Sequence, residues 1–137
     1  MDNTKPYEGI KELLLNLKGK YQLVILTNKN EKYAKNLINR YFDGVFALIQ
    51  GSYIDKPRKP NPYLANQVFE KLNINPNEAI YIGDTEIDFE TGTNAGLKTI
   101  LVSYGFRSRV QLEKTLQKVD IVDNPRDLEI KIKQILN

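Results

Sequence analysis

The stretch Ala79-Ile80-Tyr81-Ile82-Gly83-Asp84-Thr85-Glu86-Ile87-Asp88 decides the predicted fold. Its short apolar run is typical of a buried strand, and a second carboxylate follows the Gly-Asp pair four residues after Asp84. In an α/β protein this layout places Asp84 and Asp88 at the carboxyl end of a parallel strand, where such sheets bind ligands. Two close carboxylates repel each other unless a proton or cation intervenes, and Mg²⁺ prefers oxygen ligands. The structural alternative is a strand-to-helix turn in which an Asp caps the next helix.

The composition narrows the possible chemistry. The 137 residues suit one domain, and 41% hydrophobic and 27% charged residues are ordinary for a soluble protein. A net charge of +3 is too small to indicate a nucleic-acid partner. The absence of cysteine and histidine excludes disulfides, thiol chemistry and the usual general base, and is compatible with a cytoplasmic location. No apolar stretch approaches membrane-spanning length, so we expect no membrane partner.

Strand and helix patterns alternate along the whole chain. Apolar runs predict strands at 21–26, 45–49, 79–82, 99–102 and, at an edge, 120–122. Helical spacing and cap-plus-proline signals predict helices from Pro6 to about Gly19, over 31–40, after Asn61-Pro62, over 89–95, over 109–117 and after Asn124-Pro125. This alternation predicts an α/β fold, a three-layer Rossmann-like core with a mainly parallel sheet, in a single domain over residues 1–137. The run 21–26 is expected to be buried on both faces and 27–30 to form a polar loop.

Polar side chains follow three of the predicted strands. Thr27 and Asn28 follow the first, Lys59 the second, and Asp84 with Asp88 the third. Because the carboxyl ends of parallel strands share one edge, we expect these groups to converge. A hydroxyl with loop amides, a compact positive charge and a metal-binding carboxylate pair together suit a phosphoryl group.

Each of these residues has a structural alternative. Taken alone, Thr27 is more typical of a strand-end hydroxyl bonded to backbone, and Lys59 is more typical of one solvated charge beside Lys56 and Arg58. Asp88 alone fits an N-cap of the 89–95 helix. The conjunction of all of them favours a phosphate site.

Three motifs in order carry a family resemblance. They are Val24-Ile25-Leu26-Thr27-Asn28-Lys29, Lys59-Pro60-Asn61-Pro62 and Gly83-Asp84-Thr85-Glu86-Ile87-Asp88, with Pro6-Tyr7-Glu8-Gly9 and Thr93-Asn94-Ala95-Gly96 as supporting matches. The chain resembles the haloacid dehalogenase (HAD) superfamily of phosphatases, most closely its phosphoglycolate-phosphatase-like branch. The resemblance spans about residues 6–106.

The resemblance implies a Mg²⁺-dependent phosphomonoesterase that acts on a small phosphorylated metabolite. Thr27 and Lys59 would be the catalytic residues present, and Thr27, Asn28 and Lys59 would bind the phosphate. Asp84 would ligate Mg²⁺ directly, and Asp88 would support the metal directly or through water.

The family's first motif, Asp-x-Asp-Gly-Thr, is not found in the chain. Asp2-Asn3-Thr4 echoes it, but only Met1 precedes that tripeptide, so no strand could carry Asp2 into the site. The resemblance therefore implies that the nucleophile strand, which is central in the sheet, and the cap domain are absent. Strands 21–26 and 79–82 would then pair directly, accept a strand from another chain, or belong to a truncated protein, the explanation we favour. For this chain we expect little or no turnover, since no carboxylate is placed to attack phosphorus.

Two other functions stay open. One is a non-catalytic phosphate- and metal-binding module, or a piece of a split enzyme, that self-associates or binds a partner chain through exposed sheet edges. The other is a receiver-type signalling domain, which fits the lysine and proline context poorly. The loop Tyr104-Gly105-Phe106-Arg107 is expected to border the pocket, with Arg107 as a solvated surface residue.

Overall fold

A computed structural model describes residues 9–105, 107–116 and 119–136. It divides into two compact units, Met1–Lys56 and Pro57–Asn137. The predicted helix start at Pro6, the Asp2-Asn3-Thr4 echo, Phe106 and the predicted helix end at Gln117 lie outside the described residues. The single domain over the whole chain stays a prediction.

The first unit alternates helices and parallel strands. Its elements are helix α1 (Ile10–Lys18), strand β1 (Val24–Asn30), helix α2 (Glu31–Phe42) and strand β2 (Leu48–Ser52). As predicted, α1 ends at Gly19. The strands are parallel, with Val24 opposite Leu48 and Leu26 opposite Gln50. The buried apolar residues of this unit are Leu13, Leu17, Ala34, Val45 and Ile49.

The polar segment 27–30 was wrongly predicted as a loop, because it continues β1. After the Leu26–Gln50 pair, the next pair is Asn30 with Ser52, so β1 contains an irregularity here. The strand predicted at 45–49 lies instead at 48–52. It continues through two polar residues, Gln50 and Ser52, whose side chains are both hydrogen-bonded. Gln50 Nε2 donates to the Gly51 carbonyl at 3.0 Å and Ser52 Oγ to the Asn28 carbonyl at 2.6 Å.

The second unit contains a three-stranded sheet with helices between its strands. Its elements are α3 (Tyr63–Leu72), a 3-10 helix (Pro76–Glu78), β3 (Ile80–Gly83), α4 (Glu86–Asn94), β4 (Lys98–Val102), α5 (Arg109–Thr115), β5 (Asp120–Val122) and α6 (Pro125–Leu136). The strand order is β3-β4-β5 and both pairs are parallel. The α/β class and its parallel strands are confirmed.

The position of each strand in its sheet explains its burial. The central strand β4 contributes Ile100 and Leu101, both fully buried. In contrast, β1 and β3 each have one strand neighbour within their unit. Residues Val24–Asn28 of β1 are only half-buried, and Ile82 in β3 is 39% exposed. The expectation that the apolar run 21–26 is buried on both faces is therefore wrong.

Side-chain caps begin several helices. The Ser108 hydroxyl accepts from Gln111 N at 3.3 Å, and Asn124 Oδ1 accepts from Asp127 N at 2.8 Å. Such bonds satisfy amides that the helix itself leaves unpaired. None of the helices in the described ranges combines the length and apolar character needed to cross a membrane.

Candidate active site

The turn from β3 into α4 brings two carboxylates together in the second unit. Asp84 follows the end of β3, and its backbone N–H donates to Asp88 Oδ2 at 2.9 Å. Thr85 is the N-cap of α4, because its Oγ1 accepts from Asp88 N at 3.3 Å. The Thr85 hydroxyl is also 3.2 Å from Asp88 Oδ2. Asp88 therefore lies in the first turn of the helix, and the interpretation of this residue as an N-cap is wrong.

Lys59 reaches the same carboxylate from the segment that precedes α3. Its Nζ donates to Asp88 Oδ1 at 2.9 Å and to Tyr81 Oη at 3.0 Å. The Tyr81 hydroxyl in turn donates to Asp88 Oδ1 at 3.1 Å. The side chains of Lys59 and Asp88 are only 13% and 10% exposed, whereas Arg58 is exposed. Lys59 is thus distinct from its basic neighbours, and the solvated-charge alternative does not describe it.

The backbone around Lys59 is held on both sides. Asn61 N donates to the Arg58 carbonyl at 2.9 Å, and the Lys59–Pro60 peptide bond is cis. Asn94 Nδ2, at the end of α4, donates to the Pro60 carbonyl at 2.9 Å. Helix α4 therefore contacts this segment twice, through Asn94 at the Pro60 carbonyl and through Asp88 at the Lys59 side chain.

Burial and charge act in opposite directions on Asp88. Burial alone raises the pKa of the Asp88 carboxyl, but the Lys59 ammonium and the Asp84 amide outweigh it and hold this pKa below its ordinary value. Burial, followed by the negative charge of Asp88, raises the pKa of the Tyr81 hydroxyl. Asp88 is therefore ionised and Tyr81 is protonated near neutral pH, which is the pairing that the hydrogen bond between them requires.

Two glycines allow the close approaches in this site. A Cβ added to Gly83 would collide with the Asp88 side chain. A Cβ added to Gly105, in the turn after β4, would lie 2.5 Å from both Cβ and Oδ2 of Asp84. The Asp88 carboxylate therefore packs against Gly83, and the Asp84 carboxylate packs against Gly105.

The loop after β4 is tied to the start of α4 by an ion pair. Arg107 donates from Nε to Glu86 Oε2 at 3.1 Å and from its terminal nitrogen to Oε1 at 2.9 Å. The Arg107 hydrogen bond is the main cause that lowers the pKa of Glu86. Arg107 is 33% exposed and doubly bonded, so the expectation of a simply solvated arginine is wrong.

Thr27 and Asn28 lie on β1 in the first unit. The Thr27 hydroxyl accepts from Lys29 N at 3.1 Å, and the Asn28 carbonyl accepts from Ser52 Oγ. The bond to Thr27 matches the structural alternative, a strand-end hydroxyl bonded to backbone. The convergence of Thr27 with Lys59 and Asp84 stays a prediction.

The donor set of the second unit fits a hard cation that takes few protein ligands. Asp84 and Asp88 supply carboxylate oxygens at the end of β3, and Asp88 already accepts bonds at both of its oxygens. Mg²⁺ commonly uses one or two carboxylates and completes its shell with water and phosphate oxygens. Across the described ranges, no group of three or more acidic, histidine or cysteine side chains forms a full protein cage for a metal.

Sequence reasoning missed Tyr81 and Thr85. Tyr81 lies within the run that the sequence pattern predicts as an apolar strand, although a buried tyrosine hydroxyl normally needs a partner. Its position in an otherwise aliphatic strand that leads into two carboxylates was the available signal. Thr85 was passed over because the neighbouring aspartates offered the more obvious cap.

The chain is similar to known phosphatases. The family described as "Haloacid dehalogenase-like hydrolase" matches residues 1–102. Phosphoglycolate phosphatase from Aquifex aeolicus is 36% identical over 105 residues, which cover 75% of this chain and 49% of that protein. N-acetylmuramic acid 6-phosphate phosphatase from Pseudomonas aeruginosa is 32% identical over 129 residues, or 91% of this chain and 56% of that protein. The chain thus spans about half the length of these curated relatives.

Solved structures agree with this family. A predicted phosphatase from Clostridium acetobutylicum superposes with a TM-score of 0.84 at 32% identity, covering 93% of this chain and 60% of that one. A HAD-superfamily hydrolase from Ehrlichia chaffeensis gives 0.80 at 25% identity, covering 99% and 62%. The family match extends over more than half of the chain and includes Lys59 and the acidic turn after β3. The chain therefore belongs to the haloacid dehalogenase-like hydrolase family.

Proposed function

We propose that this chain carries the lysine and acidic part of a Mg²⁺-dependent phosphomonoesterase site. The observation that carries the proposal is the Lys59–Asp88 ion pair of 2.9 Å, which lies next to Asp84 at the carboxyl end of β3. A partly buried cation beside a carboxylate that can bind metal would provide charge of both signs for a phosphate and its counterion. The site needs little further chemistry to hold a phosphoryl group in place.

The residues divide these tasks according to their contacts. Asp84 would ligate Mg²⁺, which when bound neutralises charge on the phosphate oxygens. Asp88 holds Lys59 in place and would support the metal either directly or through a water molecule. Lys59 would stabilise the phosphate, while Thr27 and Asn28 stay the predicted phosphate-binding residues of the first unit.

The names of the relatives support a small phosphorylated metabolite as the substrate class. Phosphoglycolate and N-acetylmuramic acid 6-phosphate, named for two of them, are both small phosphate monoesters. Because the two compounds differ in the rest of their structure, we infer that these relatives share recognition of the phosphate and not of one carbon skeleton. We propose the same class for the protein to which this chain belongs.

Binding measurements on the 137-residue chain test the proposal. Calorimetry should show that Mg²⁺ and inorganic phosphate each strengthen binding of the other. Lys59→Ala should abolish phosphate binding and Asp84→Asn should abolish Mg²⁺ binding. The matched control Arg58→Ala removes an exposed neighbouring charge and should change neither. Equal losses in Lys59→Ala and Arg58→Ala would show that phosphate binds to general positive charge and not to the site.

Turnover by the chain itself is expected to be low or absent. The sequence contains no Asp-x-Asp-Gly-Thr motif after a strand, so no carboxylate of that kind is available to attack phosphorus. Hydrolysis of an aryl phosphate by the purified chain should therefore stay near the uncatalysed rate with or without MgCl₂. Rapid, Mg²⁺-dependent hydrolysis that is lost in Asp84→Asn would contradict this proposal.

A second candidate is a non-catalytic module or a split-enzyme piece that takes up a strand from a partner or a second copy. The half-buried residues of β1 and the exposed Ile82 on β3 favour it, because each of these strands has one strand neighbour within its unit. Truncation of a longer protein and a cytoplasmic location stay proposals beside it. Sedimentation velocity discriminates: a concentration-dependent dimer or a stable hetero-complex supports strand exchange, and a monomer at all concentrations contradicts self-association.

A further inference from the structure

The loop between β4 and α5 is fixed at both ends. At its start, Ser103 N donates to the Val122 carbonyl at 2.9 Å, and Ser103 Oγ donates to Asp123 Oδ1 at 2.5 Å. Towards its end, Arg107 makes the two-bond ion pair with Glu86 described above. Residues on both sides of Gly105 are therefore attached to neighbouring elements, Ser103 to the end of β5 and Arg107 to the first turn of α4.

Gly105 lies between the two attachments and contacts Asp84. A Cβ at Gly105 would be 2.5 Å from Asp84 Cβ, 2.5 Å from Oδ2 and 2.9 Å from Cγ. Contacts this short do not occur for real Cβ atoms, so the approach exists only because residue 105 is glycine. The atoms of Asp84 that are involved include the Cβ next to its own backbone, which cannot swing aside as the end of a long side chain would.

We propose that Gly105 is a positioning residue, whose backbone confines the Asp84 carboxylate to the rotamer that binds metal. The proposal rests on the proposed function, because it assigns Mg²⁺ to Asp84. A ligand that is already confined loses less side-chain freedom when the metal binds, so its affinity is higher. The residue acts through Asp84, 21 positions earlier in the sequence, and has no functional group of its own.

Mg²⁺ titration of Gly105→Ala by calorimetry tests the proposal. Displacing Asp84 should weaken Mg²⁺ binding by about tenfold or more, which is the effect typical of groups that orient metal ligands. Gly19→Ala is the matched control, since Gly19 has a helical φ of −68° and no atom near an added Cβ. Unchanged Mg²⁺ affinity in Gly105→Ala, with a native chain that does bind Mg²⁺, would overturn this inference alone. A native chain that binds no Mg²⁺ would overturn the proposed function and this inference together.

A double-mutant cycle measures the Gly105–Asp84 contact without any metal. Gly105→Ala should lower the melting temperature of the native chain, and the loss should fall to roughly half or less in an Asp84→Gly background. Asp84→Gly removes the three atoms that lie nearest to the new Cβ, which are Cβ, Cγ and Oδ2 of Asp84. If Gly105→Ala alone does not fold, restored folding in the double variant supports the contact. Equal losses in both backgrounds would overturn it.

Discussion

Replacing Lys59 with methionine removes one member of the ion pair and keeps most of the side-chain volume. Asp88 then loses its 2.9 Å partner while staying buried, with the Asp84 amide, Tyr81 and Thr85 still bonded to it. Leaving one charge of a buried pair without its partner costs about 3–5 kcal/mol. The three remaining hydrogen bonds place the expected loss for Lys59→Met near the lower limit, at about 3 kcal/mol.

Urea denaturation followed by circular dichroism measures this loss at neutral pH. In thermal unfolding the same change corresponds to a decrease in melting temperature of about 10 °C for a chain of this size. The control Arg58→Met alters the exposed side chain of the residue that directly precedes Lys59. It should lower the free energy of unfolding by no more than about 0.5 kcal/mol.

The pH dependence gives this prediction its sign. In the native chain the pKa of Asp88 is lowered, so its contribution to stability is present above the unfolded pKa and is lost as the pH falls through the folded pKa. Without Lys59 the folded pKa of Asp88 rises, because burial is then opposed by fewer groups. The stability difference between the native chain and Lys59→Met should therefore be largest at neutral pH and narrow on acidification. A loss no larger than that of Arg58→Met, or a difference independent of pH, would refute the reasoning.

Three further substitutions test other features of the second unit by urea denaturation, and Gly19→Ala is the control for the Cβ added in Gly83→Ala. Gly83→Ala should destabilise the chain by about 1–3 kcal/mol, because the new Cβ collides with Asp88; a neutral result would contradict that contact. Thr85→Ala should cost about 1 kcal/mol through loss of the α4 cap, while Thr85→Ser should retain stability; equal losses would show that the hydroxyl is not the cause. Thr99→Val should stabilise by about 1 kcal/mol, because Thr99 Oγ1 is buried and has no hydrogen-bond partner among the described residues; a decrease in stability would indicate that the hydroxyl is satisfied.

The acidic turn was predictable from sequence because its determinants are local. A strand followed by Gly83 and Asp84, with Asp88 four residues later, specifies the turn. It also specifies that the carboxylates lie at the edge of the sheet where the strands end. Lys59 was predicted at the site by its motif, but its direct bond to Asp88 depends on the position of α3 relative to α4. That packing between distant segments is not encoded in residue spacing.

The first unit shows why pattern reasoning placed strand boundaries incorrectly. Apolar alternation cannot recognise a strand that continues through Gln50 and Ser52, because both polar side chains are satisfied by nearby carbonyls. The same reasoning treated Thr27 as the start of a loop, although an irregularity in β1 keeps the polar residues within the strand. Burial of β1 was overestimated because the number of neighbours of a strand depends on the whole sheet.

The hydrogen bonds of Tyr81 have a spectroscopic consequence. The sequence has no tryptophan, so tyrosine dominates its near-ultraviolet absorption and emission. The Tyr81 hydroxyl is 3.0 Å from Lys59 Nζ and 3.1 Å from Asp88 Oδ1, and the lysine also lies 5.8 Å from the centre of the phenol ring. Any rearrangement of the ion pair therefore changes the electric field on a natural chromophore. A change in tyrosine absorption should therefore accompany rearrangement of the Lys59–Asp88 pair in the unlabelled chain. The part of that change that is lost in Tyr81→Phe is assigned to Tyr81.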